Sequence, residues 1–173
     1  MIASVESRVA VATPGDMAAW RVLATEVEHL FGPLVGDPSF EGALERCIAR
    51  GDAFCVREAG EGSPLMGGLL FSRKPPTYIV AWLAVASRGR RCGVGRALVR
   101  HALALVPPPA EVVLTTFGPD RPEGEPARRF YETLGFLPAE MAPSGPDGTT
   151  RQVFRLTVAD QPDTRMPQRP GRA

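Results

Sequence analysis

The residues best suited to chemistry lie in one short turn, Ser87–Arg96, between an apolar stretch and an amphipathic one. The turn is rich in arginine and glycine, with Arg88, Gly89, Arg90, Arg91, Gly93, Gly95 and Arg96. A helix that begins in such a turn leaves its first backbone N–H groups without intrahelical partners, and together with the helix dipole these groups attract anions. Because glycine has no Cβ, a phosphate oxygen can approach the backbone closely at Gly93 or Gly95. The turn is therefore predicted to bind a pyrophosphate.

Two other phosphate-binding motifs are excluded by spacing. A P-loop requires Gly-Lys-Ser/Thr at the helix start, and the only lysine of the chain, Lys74, lies outside the turn. A dinucleotide fingerprint requires G-x-G-x-x-G and an acidic residue about 20 positions later, whereas the glycines here occupy positions 89, 93 and 95. The pattern that is present is Arg90-x-x-Gly93-x-Gly95.

An apolar strand and an amphipathic helix must hold this turn in place. Residues Tyr78–Ala86 are almost all apolar or aromatic, which is typical of a central strand covered on both faces. From Val94 onward, apolar residues recur with a helical period at Ala97, Leu98, Ala102 and Leu105. Pro107–Pro109 end this helix, and Glu111–Phe117 is predicted to be the next strand. Because a helix crosses over between the two strands, they are predicted to be parallel.

The remaining segments continue the alternation of strands and helices. Periodicity and turn residues predict three further helices, at Met17–Phe31 (capped by Asp16), Phe40–Arg50 and Pro126–Leu134. They also predict strands at Val5–Ala12, Ala53–Ala59, Leu65–Arg73, from Phe136 onward, and at Arg151–Val158. The class is therefore α/β.

Length and composition indicate one domain of ordinary size. A chain of 173 residues can bury a full core, and a net charge of +1 argues against nucleic-acid binding by bulk electrostatics. We find no run of 18 apolar residues and no signal-peptide pattern, so a cytoplasmic location is predicted. Three cysteines without a C-x-x-C pair and two histidines without ligand spacing predict neither disulfides nor a metal site. The polar tail 160–173 is predicted to be disordered.

Two motifs resemble those of the GNAT superfamily of acetyl-CoA-dependent N-acetyltransferases. The first is Arg90-x-x-Gly93-x-Gly95 after an apolar strand, and the second is the segment Ala127–Phe136, which is similar to A-x-x-F/L-Y-x-x-x-G-F. They occur in the family's order, with a helix and a strand between them. The resemblance implies a GNAT domain over residues 1–159, with a mixed sheet of six to seven strands, splayed parallel central strands and about four flanking helices.

The resemblance also implies a function and a set of site residues. The protein is expected to transfer an acetyl group from acetyl-CoA directly to a primary amine of a small molecule or peptide, without a metal, nucleic acid or membrane. Many relatives form dimers, so the resemblance also implies a homodimer. Tyr131 is expected to protonate the departing thiolate. The residues expected to contact acetyl-CoA are Leu83, Ala84 and Val85 through their backbone, and Arg90, Arg91, Cys92, Gly93, Val94, Gly95 and Arg96 at the phosphates.

The general base is left open. Many relatives carry a carboxylate on the strand before the tyrosine-bearing helix, but Val112–Phe117 has none. The alternatives are Asp120, Glu123, Glu125, Glu28 or a water molecule, and Gly124 stands where some relatives have an asparagine. Candidate walls for the amine are Glu28, His29, Phe31, Asp37, Phe40, Trp82, Phe117 and Asp120. The missing carboxylate keeps one rival function in view, a non-catalytic acyl-CoA-binding regulatory module. A second rival is a nucleotide-binding regulatory domain that uses the same turn.

Overall fold

Seven strands form one mixed sheet in the computed structural model, which describes residues 8–32, 34–145 and 148–160. The strands are β1 (Val9–Val11), β2 (Ala53–Arg57), β3 (Leu65–Lys74), β4 (Thr77–Val85), β5 (Ala110–Phe117), β6 (Leu137–Ala142) and β7 (Arg151–Val158), in the spatial order β1-β2-β3-β4-β5-β7-β6. The longer helices are α1 (Met17–Phe31), α2 (Pro38–Arg50), α3 (Val94–Ala104) and α4 (Glu125–Glu132). The predicted disordered tail and the start of the first predicted strand lie outside the described residues.

The sheet has a single parallel pair among the described strands, and that pair is short. β4 and β5 run parallel, as the crossover helix predicted, and every other pair is antiparallel. Their pairing extends only from Thr77 opposite Glu111 to Val80 opposite Leu114. Beyond Val80 the two strands separate, so the sheet contains an open wedge between its central strands.

An irregularity in β4 decides which side of the sheet its residues face. Trp82 lies opposite Leu70 of β3 while Val80 lies opposite Phe71, so Ala81 has no partner of its own in the register. Val80 packs in the core beneath α3, whereas Trp82 packs in the core beneath α1 and α2. The prediction that this strand is covered on both faces is wrong for its first half, where Ile79 is 39% exposed, because α1 and α2 cover only its later residues.

A side-chain hydrogen bond and a left-handed glycine explain where α2 begins and ends. α2 begins two residues earlier than predicted, because Asp37 accepts a hydrogen bond from the Ser39 amide (2.8 Å) and Pro38 is suited to the first turn. It ends at Arg50 and is capped by Gly51, whose φ of +69° is the left-handed conformation that glycine favours. None of the helices that the structure describes has the length and apolar composition to cross a membrane.

Asp16 anchors the start of α1 to the sheet, although not as the predicted side-chain cap. Its carboxylate accepts hydrogen bonds from the Thr13 amide (2.7 Å) and from Arg57 on β2 (2.6 Å), and it makes no capping bond to α1. The side chain is 2% exposed. Burial alone would raise the pKa of Asp16, but the bonds from Arg57 and Thr13 outweigh it and leave the pKa below its usual value.

Replacing this carboxylate tests the anchor. We expect Asp16→Asn to lower the free energy of unfolding at pH 7 by about 1–3 kcal/mol, because Arg57 loses its partner in a partly buried site. Because the pKa of Asp16 is lower in the folded protein than its unfolded value near 3.9, the charged carboxylate stabilises the fold at pH values above 3.9. This stabilisation is lost as the pH falls, so the difference in unfolding free energy between wild type and variant should shrink below about pH 4. Urea unfolding of both proteins at pH 7 and below about pH 4 measures this difference.

Glu41→Gln is the control for this measurement. Glu41 pairs with Arg21 on the surface (2.9 Å), where Arg21 is 46% exposed, so its loss should cost less than about 1 kcal/mol. Equal losses in the two variants would contradict the anchoring role of Asp16.

Candidate active site

A cleft of about 660 Å³ opens where β4 and β5 separate. It is lined by the end of β4, the turn that follows, the first turn of α3, the end of β5 and α4, with α1 at its rim. The lining residues are Val27, Leu30, Leu83, Ala84, Val85, Gly89, Arg90, Arg91, Gly93, Val94, Gly95, Arg96, Phe117, Glu123, Pro126, Ala127, Phe130 and Tyr131. The predicted phosphate turn and the predicted catalytic tyrosine therefore line one cavity.

The turn depends on two left-handed residues. After a short 3₁₀ turn at Ser87–Gly89, Arg91 has φ of +60° and Gly93 has φ of +79°. A Cβ on Gly93 would meet no atom within 4 Å, so glycine is favoured there by backbone conformation and not by crowding. This sharp reversal lets α3 begin at Val94 with its first amides facing the cleft.

Four consecutive amides at this helix start are available to a ligand. The first amide hydrogen bond of α3 that reaches back into the turn runs from Ala97 to the Gly93 carbonyl (2.9 Å). Two observations show that four N–H groups are available, those of Gly93, Val94, Gly95 and Arg96. Within the described residues they donate to no backbone acceptor outside the helix, and they lie before its first i→i−4 hydrogen bond. Such a set of amides, at the positive end of a helix dipole, forms an anion site.

Cys92 does not contribute as predicted. Its amide donates to the Gly89 carbonyl (3.4 Å), and its thiol lies 3.9 Å from the Arg88 carbonyl. Cys92 is also absent from the cleft lining. The turn's own hydrogen bonding therefore uses the N–H group that the sequence assigned to the phosphates.

Gly95 has a structural reason for lacking a side chain. A Cβ there would lie 3.3 Å from the Phe130 ring and 3.4 Å from Val85. Glycine thus lets α3 pack closely on β4 and α4, a role in packing beyond the close approach of phosphate that its sequence motif predicts. Its amide remains one of the four available donors.

The arginines of the turn divide into two groups. Arg90, Arg91 and Arg96 line the cleft and surround the four amides with positive charge. Arg88 turns away: it donates to the Leu65 carbonyl (2.8 Å) and pairs with Glu26 (3.4 Å), so it fastens the turn to β3 and α1. Charge near the anion site therefore comes from three arginines.

The open edge of β4 presents main-chain groups to the cleft. The Ala86 amide donates to Met66 of β3 (2.9 Å), and in an antiparallel ladder every second residue makes such bonds. Ala84 is then bonded to β3, while the N–H and C=O groups of Leu83 and Val85 point to the other edge, where β5 has moved away. The backbone groups of Ala84 are therefore used within the sheet, which contradicts the predicted backbone contact with acetyl-CoA at this residue, while Ala84 still lines the cleft.

Tyr131 lies in the wall of the cleft and is 8% exposed. Aromatic rings surround it, with centroid distances of 5.1 Å to Phe130, 5.8 Å to Phe136 and 6.5 Å to Phe154. Burial raises the pKa of Tyr131 well above its usual value, because the phenolate would be poorly solvated there. Its hydroxyl therefore stays protonated at physiological pH and can donate a proton or hydrogen bond.

The four carboxylates proposed as bases lie in different places. Glu123 lines the cleft and pairs with Arg121 (3.6 Å). Asp120 accepts a hydrogen bond from Thr150, Glu125 pairs with Arg129, and Glu28 accepts from the Leu34 amide (3.3 Å). Of these four, Glu123 alone lines the cleft.

A second cavity of about 220 Å³ continues the wedge toward the point where strand pairing ends. Its lining is Val80, Ala81, Trp82, Leu83, Thr115, Thr116, Phe117, Ala127, Tyr131 and Arg151. Leu83, Phe117, Ala127 and Tyr131 line both cavities. The two spaces therefore meet at the tyrosine.

The residues predicted to wall the amine lie in several different places in the structure. Trp82 and Phe117 line the second cavity. Phe40 packs instead against Trp82 in the core (5.4 Å), Asp37 caps α2, and His29, like Glu28, lines neither cavity. The Phe31 side chain lies outside the described part of the chain.

Sequence reasoning missed two arginines near the tyrosine. Arg128 on α4 donates to the Phe117 carbonyl (3.2 Å) and to Gln152 (2.6 Å), which ties the tyrosine-bearing helix to β5 and β7. Arg151, at the start of β7, lies over the Phe117 ring at 4.8 Å. Neither has a local signal, because its role depends on strands that are distant in sequence.

Residues 50–138 match the model of the acetyltransferase (GNAT) domain. The chain belongs to the GNAT acetyltransferase family. No curated protein matches its sequence.

Solved structures with the GNAT fold cover nearly the whole chain. Ard1 from Thermoplasma volcanium has a TM-score of 0.70 at 19% identity, with 88% of this chain and 97% of that chain covered. The ribosomal-protein-S18-alanine N-acetyltransferase from Escherichia coli has a TM-score of 0.65 at 17% identity, covering 90% and 96%. The PaiA N-acetyltransferase from Thermoplasma acidophilum, solved with coenzyme A, has a TM-score of 0.66 at 13% identity, covering 87% and 98%. These similarities show that the fold is that of GNAT proteins.

The position where some GNAT relatives carry asparagine yields a prediction. A Cβ on buried Gly124 would overlap the Phe117 side chain. Any larger residue at position 124 would therefore have to displace Phe117 from the wall of the site. We expect Gly124→Ala to lower the free energy of unfolding by about 1–3 kcal/mol through overpacking. Gly60→Ala, which would meet no atom within 4 Å, is the matched control. Urea denaturation compares them, and an unchanged Gly124→Ala would contradict the close contact.

Proposed function

We propose that the protein transfers the acetyl group of acetyl-CoA directly to a primary amine. The observation that carries the proposal is the cleft that joins four available helix-start amides to a buried, protonated Tyr131. Binding a pyrophosphate-bearing thioester and protonating its thiolate require an anion site and a proton donor along one cavity.

The residues present fit coenzyme A. The amides of Gly93–Arg96, with Arg90, Arg91 and Arg96, would hold the pyrophosphate, because they combine N–H donors with positive charge. Leu83 and Val85 would offer N–H and C=O groups to the amides of the pantetheine arm, as a neighbouring strand would. Val94 and Ala84 would contribute apolar surface along the same wall. Acetyl-CoA would supply the acetyl thioester.

Acetyl transfer from a thioester to an amine has three requirements. The amine must be neutral when its nitrogen forms the bond to the carbonyl carbon, the carbonyl must be polarised, and the sulfur must receive a proton as the C–S bond breaks. The N–H groups on the open edge of β4 would polarise the carbonyl. Tyr131 would supply the proton, and the same apolar surroundings that raise the pKa of its phenol also make a buried thiolate more basic.

The amine's proton would leave through Glu123 or a water molecule. Among the four carboxylates considered, Glu123 is the one at the cleft, and its exposed position suits a relay through solvent. Direct transfer needs no covalent intermediate on the protein. A cytoplasmic location and a homodimer stay predictions.

A second candidate is a non-catalytic acyl-CoA-binding regulatory module of the same fold. It is favoured by the lack of any carboxylate on β5 beside the cleft. Release of thiol from acetyl-CoA in the presence of an amine panel separates the two, since a binding module would bind acetyl-CoA without amine-dependent release.

Removing the tyrosine hydroxyl tests the acid role. We expect Tyr131→Phe to lower kcat by about 100-fold or more, with little change in the KM for acetyl-CoA, because general acid catalysis contributes about 10²–10⁴-fold. Tyr78→Phe is the control, since Tyr78 is also buried (3% exposed) but stacks on Phe71 outside the cleft. Equal kcat losses in the two variants would overturn the role of Tyr131.

Neutralising the turn tests the phosphate site. The double variant Arg90→Gln/Arg91→Gln should raise the Kd for acetyl-CoA about ten-fold or more, because it removes two charged donors. Added salt should weaken binding by wild type more than by the variant. Arg100→Gln, exposed on α3 but outside the cleft, should bind like wild type in calorimetry. Unchanged binding by the double variant would contradict the assignment.

A further inference from the structure

The second cavity continues the line that a pantetheine arm would follow along β4. Going back along this strand from the phosphate turn, Val85 and Leu83 line the larger cleft, and Leu83 and Val80 line the second cavity. Val80 is the last residue of β4 that pairs with β5, so the cavity extends to the point where the wedge closes. A group bound beyond Leu83 would therefore lie in this cavity.

Tyr131 indicates where the thioester would lie. The tyrosine and Leu83 line both cavities, so they mark the place where the two spaces meet. With the proposed acid role of Tyr131, the sulfur lies at this junction. The sulfur and the acyl substituent leave the carbonyl carbon in different directions. With the pantetheine arm in the larger cleft, the substituent faces the second cavity.

The second cavity is larger than an acetyl group needs. Its volume of about 220 Å³ corresponds to roughly seven water molecules at about 30 Å³ each, and a methylene group has a similar size. An acetyl group would place a single methyl group there. Leu83 and Val80 are about 10 Å apart along a strand, which gives room for a chain that continues beyond the carbonyl.

The walls of this cavity suit a hydrocarbon chain. The four consecutive residues Val80–Leu83 of β4 are apolar, and Phe117 and Ala127 add further apolar surface. Arg151 also belongs to the wall, where its guanidinium packs over the Phe117 ring (4.8 Å). Among the described residues that line the cavity, none carries a carboxylate that could balance an ammonium group. Burial of methylene groups is favourable in such a space, whereas a charged amine would lose its hydration.

We propose that the acyl donor carries a straight acyl chain of about four to six carbons, which lies in the second cavity against Trp82 and Phe117. This inference rests on the proposed transfer and names the group that is transferred. The amine nitrogen bonds to the carbonyl carbon, the C–S bond breaks and the sulfur receives the proton of Tyr131. The amine's proton leaves through Glu123 or water, and solvent restores the tyrosine. The amine would approach from the larger cleft, where Glu123 lies.

A series of thioesters tests the proposal on the wild-type protein. Calorimetry without an amine compares acetyl-, propionyl-, butyryl-, hexanoyl-, octanoyl- and dodecanoyl-CoA. We expect the Kd to fall about four-fold for each methylene added up to hexanoyl-CoA, because each one leaves water for an apolar wall. Beyond that length the filled cavity should give no further gain. A total gain below about ten-fold from acetyl- to hexanoyl-CoA, or a gain that continues to dodecanoyl-CoA, would overturn the proposal.

Variants that fill the cavity assign the effect to it. Thr115 on β5 and Ala81 on β4 are exposed and line the second cavity but not the larger cleft. Thr115→Phe and Ala81→Leu should each lower the ratio of the acetyl-CoA Kd to the hexanoyl-CoA Kd toward one. Thr157→Phe places the same ring at an exposed position of β7 outside both cavities, so it should keep the wild-type ratio. A wild-type ratio in both cavity variants would overturn the assignment.

Binding and turnover together separate this inference from the proposed function. If the Kd series has the expected pattern and no amine of a panel releases thiol, the proposed transfer is wrong and the acyl site is supported. If acetyl-CoA releases thiol with an amine and the Kd series is flat, the acyl site is wrong and the transfer is supported. Where transfer occurs, kcat/KM should rise with chain length as the Kd falls, because the chain is bound equally in the ground state and the transition state.

Discussion

The early end of pairing between β4 and β5 is the constraint on which the site depends. Four residue pairs hold the strands together, and after Val80 each presents an unpaired edge. Main-chain N–H and C=O groups require partners, so an open edge in the centre of a sheet is a binding surface for a ligand with amide groups. The same separation creates both cavities, since Leu83 and Phe117 at the two edges line each of them.

Arginines near this wedge fall into two groups with different positions, and their spacing in the sequence does not distinguish the groups. Arg88 fastens the turn to its surroundings, and Arg128 ties α4 to β5 and β7, so both hold the scaffold. Arg90, Arg91 and Arg96 instead face the cleft. Some of the positive charge near the wedge therefore positions its walls, and the rest faces the cleft.

Aromatic packing around Tyr131 sets its chemistry. Phe130, Phe136 and Phe154 exclude water from the phenol, which favours its neutral, proton-carrying form. Phe117 forms the adjoining wall and needs Gly124 beside it for its position. A proton donor, an apolar wall and a nearby guanidinium are thus brought together by contacts between α4, β5 and β7.

The sequence by itself determined the class, most elements and the two motifs, because apolar periodicity, glycine and proline act locally. It predicted an anion site in the turn Arg90–Arg96 and a catalytic role for Tyr131, and the structure places both along one cleft. Tertiary structure alone decided that the Cys92 amide is used within the turn, that Ala84 bonds to β3, and that Arg151 enters the second cavity. These outcomes depend on strand register and on contacts between residues far apart in the chain, which no local pattern encodes.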